Sequence, residues 1–371
     1  MKIVFLSNYF SHHQRPLSDV LKKQSNYHFI ATADMTQERR DLGWGYDNEP
    51  EYVCYYPLDP ERAEAIIAEA DVVIAGSAPE FLVRGCILRG QLVFRYSERP
   101  LKNGSEPVKY LPRLLRWHWR NPIGKKIYLL CASGFAAADY SCFGLFRGKS
   151  YRWGYFPETK KYEDFSQLLA NKNKASILWV GRFLDWKHPD DAIAVAAALR
   201  DEGYSFTMNL IGTGPMEQTL REMIQGKGLE DYIHILGSMT PEMVRRNMEE
   251  SEIFLATSDR HEGWGAVINE AMNSGCCVVA SDAIGAVPYL INNGHNGFVY
   301  SSGDMNALVS KVKELLADDM LTCRIGERAY DTIHKLWNAE TAAQRLLELA
   351  RSILRGDKYP DLYAEGPCSK E

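Results

Sequence analysis

A Gly-rich turn closing an apolar run constrains this chain more than any other stretch. Glu252 to Ser258 reads Glu-Ile-Phe-Leu-Ala-Thr-Ser, a short apolar run of the kind that makes a buried strand. His261-Glu262-Gly263-Trp264-Gly265 forms the turn, and Ala266 to Asn273 has the composition of a helix ending near Gly275. A second apolar run, Cys276 to Ala280, follows at once. Strand, turn, helix and strand make a βαβ unit, whose turn lies at the carboxyl end of a parallel strand. Ligands of open α/β sheets collect there, and unpaired N–H groups at a helix start attract phosphate.

Two carboxylates frame this turn. Glu262 precedes the helix and Glu270 sits inside it, roughly 7–8 Å along the axis at about 1.5 Å per residue. Carboxylates repel phosphate but accept hydrogen bonds from sugar hydroxyls. A ligand with a sugar at each end and a diphosphate between them suits this spacing, as in a nucleotide sugar. Alone, the pair reads equally well as two solvated charges on a helix surface.

At 371 residues the chain is long enough for two domains, each with its own core. Its 43 basic and 48 acidic residues leave a net charge of −5, so bulk nucleic-acid binding is not indicated. None of the eight cysteines shows C-x-x-C spacing, and several lie in apolar runs. That pattern predicts a reduced, cytoplasmic protein without structural zinc. The apolar run Ile3 to Leu6 is too short for a signal peptide, and no stretch approaches a membrane span.

Short strands alternate with helices along most of the chain. Strands are expected at Lys2–Leu6, Tyr27–Ala31, Tyr52–Tyr56, Asp71–Ala75, Gln91–Tyr96, Ile127–Cys131 and Tyr151–Tyr155. Helices are expected at Pro16–Lys23, Pro60–Ala70, Pro79–Leu88, Pro107–Arg120 and Phe135–Phe143. A polar stretch, 158–174, breaks the rhythm and reads as a linker. Beyond it, strands at Ser176–Gly181, Phe206–Ile211, Ile233–Leu236, Ile253–Ala256, Cys277–Ser281 and Phe298–Tyr300 alternate with helices, and Met320 to Leu336 reads as a further helix from its apolar spacing. Pro189, Pro215 and Pro241 stand where a first-turn proline is tolerated. The expectation is α/β throughout: two Rossmann-like doubly wound parallel sheets, at 1–157 and 175–336. A helix at 337–357 is expected to pack back on the N-terminal domain, and the tail 358–371 to be flexible.

Val180-Gly181-Arg182-Phe183-Leu184-Asp185-Trp186-Lys187 follows the first strand of the second half and places two cations, Arg182 and Lys187, at a carboxyl end. Facing a helix N-terminus, they could neutralise a diphosphate. Gly212-Thr213-Gly214 offers a G-x-G after a strand, but Glu217 stands where a dinucleotide fingerprint needs its third glycine. The glycines either let backbone approach a ligand or simply make the turn.

These elements, G-R…K, G-x-G-P, a strand ending Leu236-Gly237, and E-G-W-G-x-x-x-x-E-A-M-x-x-G, resemble the C-terminal domain of retaining glycosyltransferase family 4, with its two-domain GT-B fold. The likeness covers Ser176 to Tyr300. It implies that Glu270 holds ribose hydroxyls and that Glu262 contacts the donor sugar. The backbone of Gly263, Trp264, Gly265, Ala266 and Val267 would line the sugar–diphosphate, with Gly212, Gly214 and Leu236 around the nucleotide. Arg182 and Lys187 would stabilise the departing diphosphate. Trp264 stands where Phe is frequent, and Cys277 replaces a common Pro.

The first half resembles the family less. Its first strand ends in Asn8-Tyr9-Phe10-Ser11-His12-His13-Gln14 instead of a glycine pair. His12 and His13 are candidates for contacts to acceptor or donor phosphate, with a surface pair as the alternative. Arg95-Tyr96-Ser97-Glu98-Arg99 resembles a subset of bacterial capsule and surface-polysaccharide transferases. There Glu98 and Arg99 either meet the acceptor or pair with each other. Residues 109–126 carry six bases, no acid and interleaved Leu and Trp, so this helix either docks on an anionic membrane surface or packs with a solvated basic face.

No D-x-D motif occurs, so no metal and no other cofactor is expected. The resemblance implies a retaining transfer of sugar from a nucleoside diphosphate, UDP foremost, to a glycan or lipid-linked glycan, at the inner face of a membrane. A sugar-nucleotide 2-epimerase and a nucleotide-sugar hydrolase are the alternative activities on the same fold.

Overall fold

The computed structural model describes residues 1–36, 50–104 and 107–371, with side chains at 107–109 excluded, so Lys109 of the basic stretch lies outside the description. The chain forms two compact units: Met1–Glu158 with Trp337–Glu371, and Thr159–Leu336.

The first unit holds seven parallel strands: β1 (Lys2–Ser7), β2 (Asn26–Ala31), β3 (Val53–Tyr55), β4 (Val72–Ala75), β5 (Leu92–Ser97), β6 (Ile127–Cys131) and β7 (Ser150–Arg152). Their order is β3-β2-β1-β4-β5-β6-β7. The second unit holds β8 (Asn173–Val180), β9 (Thr207–Ile211), β10 (Ile233–Gly237), β11 (Ser251–Ala256), β12 (Cys277–Ser281) and β13 (Phe298–Tyr300), in the order β10-β9-β8-β11-β12-β13. Each sheet reverses its winding once, between β1 and β4 and between β8 and β11. The loops leaving those strands at the reversal form the crevice where ligands of open sheets bind.

Strand β11 shows why these runs become central strands. All six of its residues are buried, and it pairs with β8 on one side and β12 on the other. A strand covered on both faces needs an apolar middle, and Ile253, Phe254 and Leu255 each bury at 0–1% exposure, while Glu252 at its start pairs with Lys174 at 3.1 Å. Each such side chain contributes roughly 1.5–3 kcal/mol relative to leaving it in water.

Four details differ from the sequence expectation. The segment 158–174 is not a bare linker. Asp164 caps a helix, Phe165–Ala170, by accepting from Gln167 N at 2.9 Å, and β8 already opens at Asn173. The helix is anchored by Phe165, stacked 3.9 Å from Tyr330, an apolar contact hidden among polar neighbours. Pro215 stands before its helix, Glu217–Gly226, and not in its first turn. The helix expected to run to Leu336 stops at Asp331 and continues as a π turn, Thr332–Leu336.

The tail is also not frayed. Tyr128 and Tyr151 hydroxyls donate to the carbonyls of Lys358 (3.1 Å) and Pro360 (2.9 Å), and Tyr363 donates to Glu348. Cys368 N and Arg152 N exchange hydrogen bonds with Arg152 O and Ser369 O at 2.8 Å, extending the β7 edge. Tyrosine hydroxyls on β6 and β7 thus pin a segment whose two prolines alone suggested looseness. The preceding helix, Ala339–Leu354, packs against the helix Arg15–Gln24.

Candidate functional site

The second unit's winding reversal brings together the loop after β8 and the loop after β11. The first begins with Gly181, whose N–H donates to Ile211 O at 3.0 Å, and continues through Phe183, whose N–H donates to Thr213 O at 2.8 Å. Gly212 and Gly214 make this close approach feasible. A Cβ on Gly212 would lie 1.9 Å from Gly181 O, and one on Gly214 would lie 2.6 Å from Phe183 O. The room these glycines leave is therefore filled by the chain itself. Of the two sequence readings, the turn is what their missing side chains serve.

From there the chain makes a 3-10 turn, Asp185–Lys187, and passes His188 in the left-handed region (φ 48°) before Pro189 opens the helix Pro189–Asp201. Lys187 Nζ lies 2.6 Å from Glu262 Oε2, and Ser258 Oγ donates to the same oxygen at 3.1 Å. Both side chains are mostly buried, at 17% and 16% exposure, so this ion pair is shielded from solvent screening. The two loops are stitched by further bonds. Thr257 Oγ1 lies 2.7 Å from Lys187 O and 2.8 Å from His188 O, and Asp259 N donates to Trp186 O at 2.9 Å. Arg182, by contrast, is exposed.

The turn after Glu262 depends on Gly265, at φ 88°, which precedes the helix Ala266–Asn273. A Cβ there would sit 2.9 Å from Ile284. Geometry leaves the first N–H groups of this helix, those of Ala266 and Val267, without intrahelical partners. Trp264 is fully buried, with Nε1 donating to Asn269 Oδ1 at 2.8 Å. Its indole anchors the turn, leaving only its backbone for a ligand. A recess beside this turn is lined by Lys187, Ser258, Glu262, Gly265, Val267 and Ile284.

Glu270 is half-buried four residues into the helix. Burial raises its carboxyl pKa, and the charge of Arg245 opposes the rise. Arg245 Nη1 bonds Glu270 O (3.0 Å), Asn273 Oδ1 (3.0 Å) and Ser274 Oγ (3.2 Å), so a cation closes the carbonyl end of this helix. Leu236 is exposed on edge strand β10, and the register with β9 passes from Ile235 to Gly237, omitting it from the pairing.

Sequence reasoning missed Asp259 and Arg245. Asp259 accepts from His261 N and lies 2.8 Å from His261 Nδ1, with His188 Nε2 at 3.7 Å from its other oxygen. It ties the Lys187 loop to the Glu262 loop. Neither residue carries a motif signal, because each acts through loops distant in sequence. Also unexpected is a group able to hold a cation: among the described residues, His188, Asp190 and Asp191 bring ligand atoms within 4.8 Å of one another. Asp190 Oδ1 is buried there with no hydrogen-bond partner. Burial raises the Asp191 pKa, His188 lowers it and Asp190 raises it further.

In the first unit, the rings of His12 and His13 lie 3.8 Å apart, and His13 is parallel to Tyr155 at 6.3 Å. Burial, aided by His12, depresses the His13 pKa to about 3, so it stays neutral at physiological pH. Tyr155 donates to Glu98 Oε1 at 2.7 Å, and Lys102 Nζ lies 2.6 Å from Glu98 Oε2. Glu98 and Arg99 do not pair with each other: Arg99 turns to Asp139 at 3.5 Å and covers the Phe135 ring at 4.6 Å. Arg95 is buried against Glu80 (2.6 Å) and Asn121 (2.9 Å) and serves packing. His12, His13 and Glu98 thus form one neighbourhood through Tyr155, and Arg99 belongs to another.

Residues 160–332 match the family model described as glycosyl transferases group 1. That match falls within the second unit. The chain is similar to N-acetyl-alpha-D-glucosaminyl L-malate synthase of Bacillus anthracis, at 24% identity over 51% of this chain and 48% of that protein. It is also similar to the amylovoran biosynthesis glycosyltransferase AmsK of Erwinia amylovora, at 29% identity over 48% of this chain and 44% of that one. The chain thus spans about half the length of these curated relatives. Anabaena HepE, crystallised with UDP, superposes with a TM-score of 0.71 at 18% identity, covering 95% of this chain and 100% of that one. The fold of both units is that of GT-B.

Proposed function

We propose that the protein is a retaining glycosyltransferase. It would move a sugar from a nucleoside-diphosphate sugar, with UDP as the nucleotide, to a hydroxyl of a glycan or lipid-linked glycan in bacterial surface-polysaccharide synthesis. The observation that carries this reading is the Lys187–Glu262 pair beside the open helix start at Ala266, with Glu270 on the same helix. Each side of a sugar–diphosphate–ribose ligand finds its complement there. The UDP bound to HepE supports the donor class, and the biosynthetic glycosyltransferase role in the name of AmsK supports the reaction class.

In this reading Glu270 accepts ribose hydroxyls, and the unpaired Leu236 backbone meets the base edge. The N–H groups of the 263–267 turn hold the diphosphate. Glu262 contacts the donor sugar, and the incoming diphosphate gives Lys187 a second anionic partner. The leaving phosphate takes the acceptor hydroxyl's proton on the same face of the sugar, so the stereochemistry is retained without a protein general base. Lys187, Arg182 and the helix start bear the developing charge, with no metal or other cofactor required. His12, His13, Glu98 and Arg99 are the candidate acceptor-side residues. The basic helix would bring the enzyme to the inner face of the membrane as a peripheral protein.

The test is thermal stability against UDP, GDP, ADP, CMP and NAD, with and without EDTA. Ligand at about 100 times Kd adds about 2.7 kcal/mol. A shift with UDP, insensitive to EDTA and abolished in Glu270→Ala, is expected, followed by UDP-sugar turnover only with acceptor. A shift with NAD alone, or equal sugar release without acceptor, would overturn the assignment.

A further inference from the structure

We infer that a two-helix face of the first unit docks on an anionic lipid bilayer. This deepens the membrane-facing reading above by naming the surface and its partner, and its physical basis does not depend on the chemistry of the second unit.

The face is built from two neighbouring helices. In Pro107–Arg120, Leu111, Leu115 and Trp119 are 60%, 64% and 53% exposed. Steps of four residues advance the helix by about 40° beyond a full turn each, so the three side chains share one face. Ile123, in the turn that follows, is 85% exposed and continues the line. The second helix, Glu80–Leu88, adds Phe81 and Leu88, 61% and 67% exposed. Arg84 joins the two. Its guanidinium lies 4.3 Å over the Trp119 ring, and Nη1 donates to Trp119 O at 2.8 Å.

The opposite side of the longer helix accounts for its anchoring. Trp117 packs 4.5 Å from Phe143 and 5.0 Å from Tyr140, and His118 Nε2 lies 2.9 Å from Phe143 O. The core is therefore satisfied without Leu111, Leu115 or Trp119. Among the described residues, six of the fourteen exposed large apolar side chains lie on these two helices and the turn after the longer one, with Tyr110 set apart by stacking on Phe143, which makes this a patch and not scatter.

Charge selects the occupant. Arg89, Arg116, Lys125 and Lys126 are exposed around the apolar line, and 107–126 contains no acid. Lysine is depleted in the cores of protein–protein interfaces, and two copies of one basic face repel each other. A bilayer with anionic headgroups accepts both parts. Trp and Leu enter the boundary, Trp at headgroup level, while the bases meet phosphate within a Debye length.

The test is flotation of the full chain with vesicles of phosphatidylglycerol and phosphatidylcholine (3:7) or of phosphatidylcholine alone, at 50 and 500 mM NaCl. Binding is expected to be at least tenfold stronger on the anionic vesicles at low salt. Leu115→Ser with Trp119→Ser should cut it at least tenfold, and Phe81→Ser with Leu88→Ser several-fold. Arg116→Gln with Lys125→Gln and Lys126→Gln should remove the salt dependence. UDP-induced stabilisation should be unchanged in every variant. Absent or lipid-independent binding, wild-type binding by the apolar variants, or a dimer that the same variants dissolve would overturn the inference. A lost UDP response with vesicle binding intact would count against the glycosyltransferase reading alone.

Discussion

The two units share one plan and expose it to sequence reading very differently. Both are parallel sheets that reverse once, and both place candidate residues on the loops leaving the strands at the reversal. In the second unit those loops and the helix after β11 gather a cation and two carboxylates around one helix start, as the proposed sugar–diphosphate ligand would require. In the first unit the equivalent loop carries a histidine pair whose partner, Tyr155, lies over a hundred residues away. A contiguous βαβ unit writes its chemistry locally, whereas a surface assembled from distant segments does not. Side chains gathered by one helix and its turn can be read from a sequence; those gathered from distant strands cannot.

The sharpest way to break the comparison is Lys187→Ala. It removes the cation that would face the proposed diphosphate and leaves Glu262 buried without it, so kcat should fall about 10²–10³-fold. Steady-state kinetics with UDP-sugar checks this. A change in donor KM alone would mean that Lys187 acts only in binding.

Glu270→Gln separates function from stability. The folded pKa of Glu270 lies above its unfolded value, so the folded state holds the proton more tightly. Its contribution to stability falls as pH rises from the ordinary carboxylate range through the raised value. At neutral pH the amide should therefore match or exceed the wild-type Tm, while the nucleotide-induced shift is lost. Calorimetry with and without UDP reads both signs at once.

Gly265→Ala tests the turn itself. A left-handed φ and the contact with Ile284 should cost about 1–3 kcal/mol, measured by urea denaturation. An effect confined to acid pH, and absent at neutrality, belongs to the first unit. His13 is held neutral by burial, with a folded pKa of about 3. Its contribution is fully present above the unfolded histidine value and is lost as pH falls below it, by at most about 1.4 kcal/mol per pH unit. His13→Gln should flatten the stability–pH slope between pH 6.5 and 4.

Most strands and helices were legible because a doubly wound sheet needs short apolar runs separated by amphipathic helices. Glu262 and Glu270 were legible because one contiguous stretch carries both, and Lys187 because it follows a strand that ends in glycine. The Lys187–Glu262 ion pair was not, since 75 residues separate its partners and only folding shows that they meet without a ligand. Asp259 and Arg245 hold loops and a helix end, roles that leave no periodic trace. The helix at Phe165–Ala170 was hidden because a few apolar contacts suffice for so short an element. Glu98 and Arg99 were placed together by adjacency, yet successive side chains at the end of a strand diverge, and the two go to Lys102 and Asp139.

The tail pinned to β7 has a consequence for biosynthesis. The first unit is discontinuous: its sheet comes from residues 1–158, while one covering helix and the strand-edge segment come from 337–371. A ribosome delivers the whole of the second unit before those last residues emerge. The second unit can therefore close during translation, and the unit that starts first must finish after it, its edge at β7 uncovered until Cys368 and Ser369 emerge. The order of completion runs opposite to the order of synthesis.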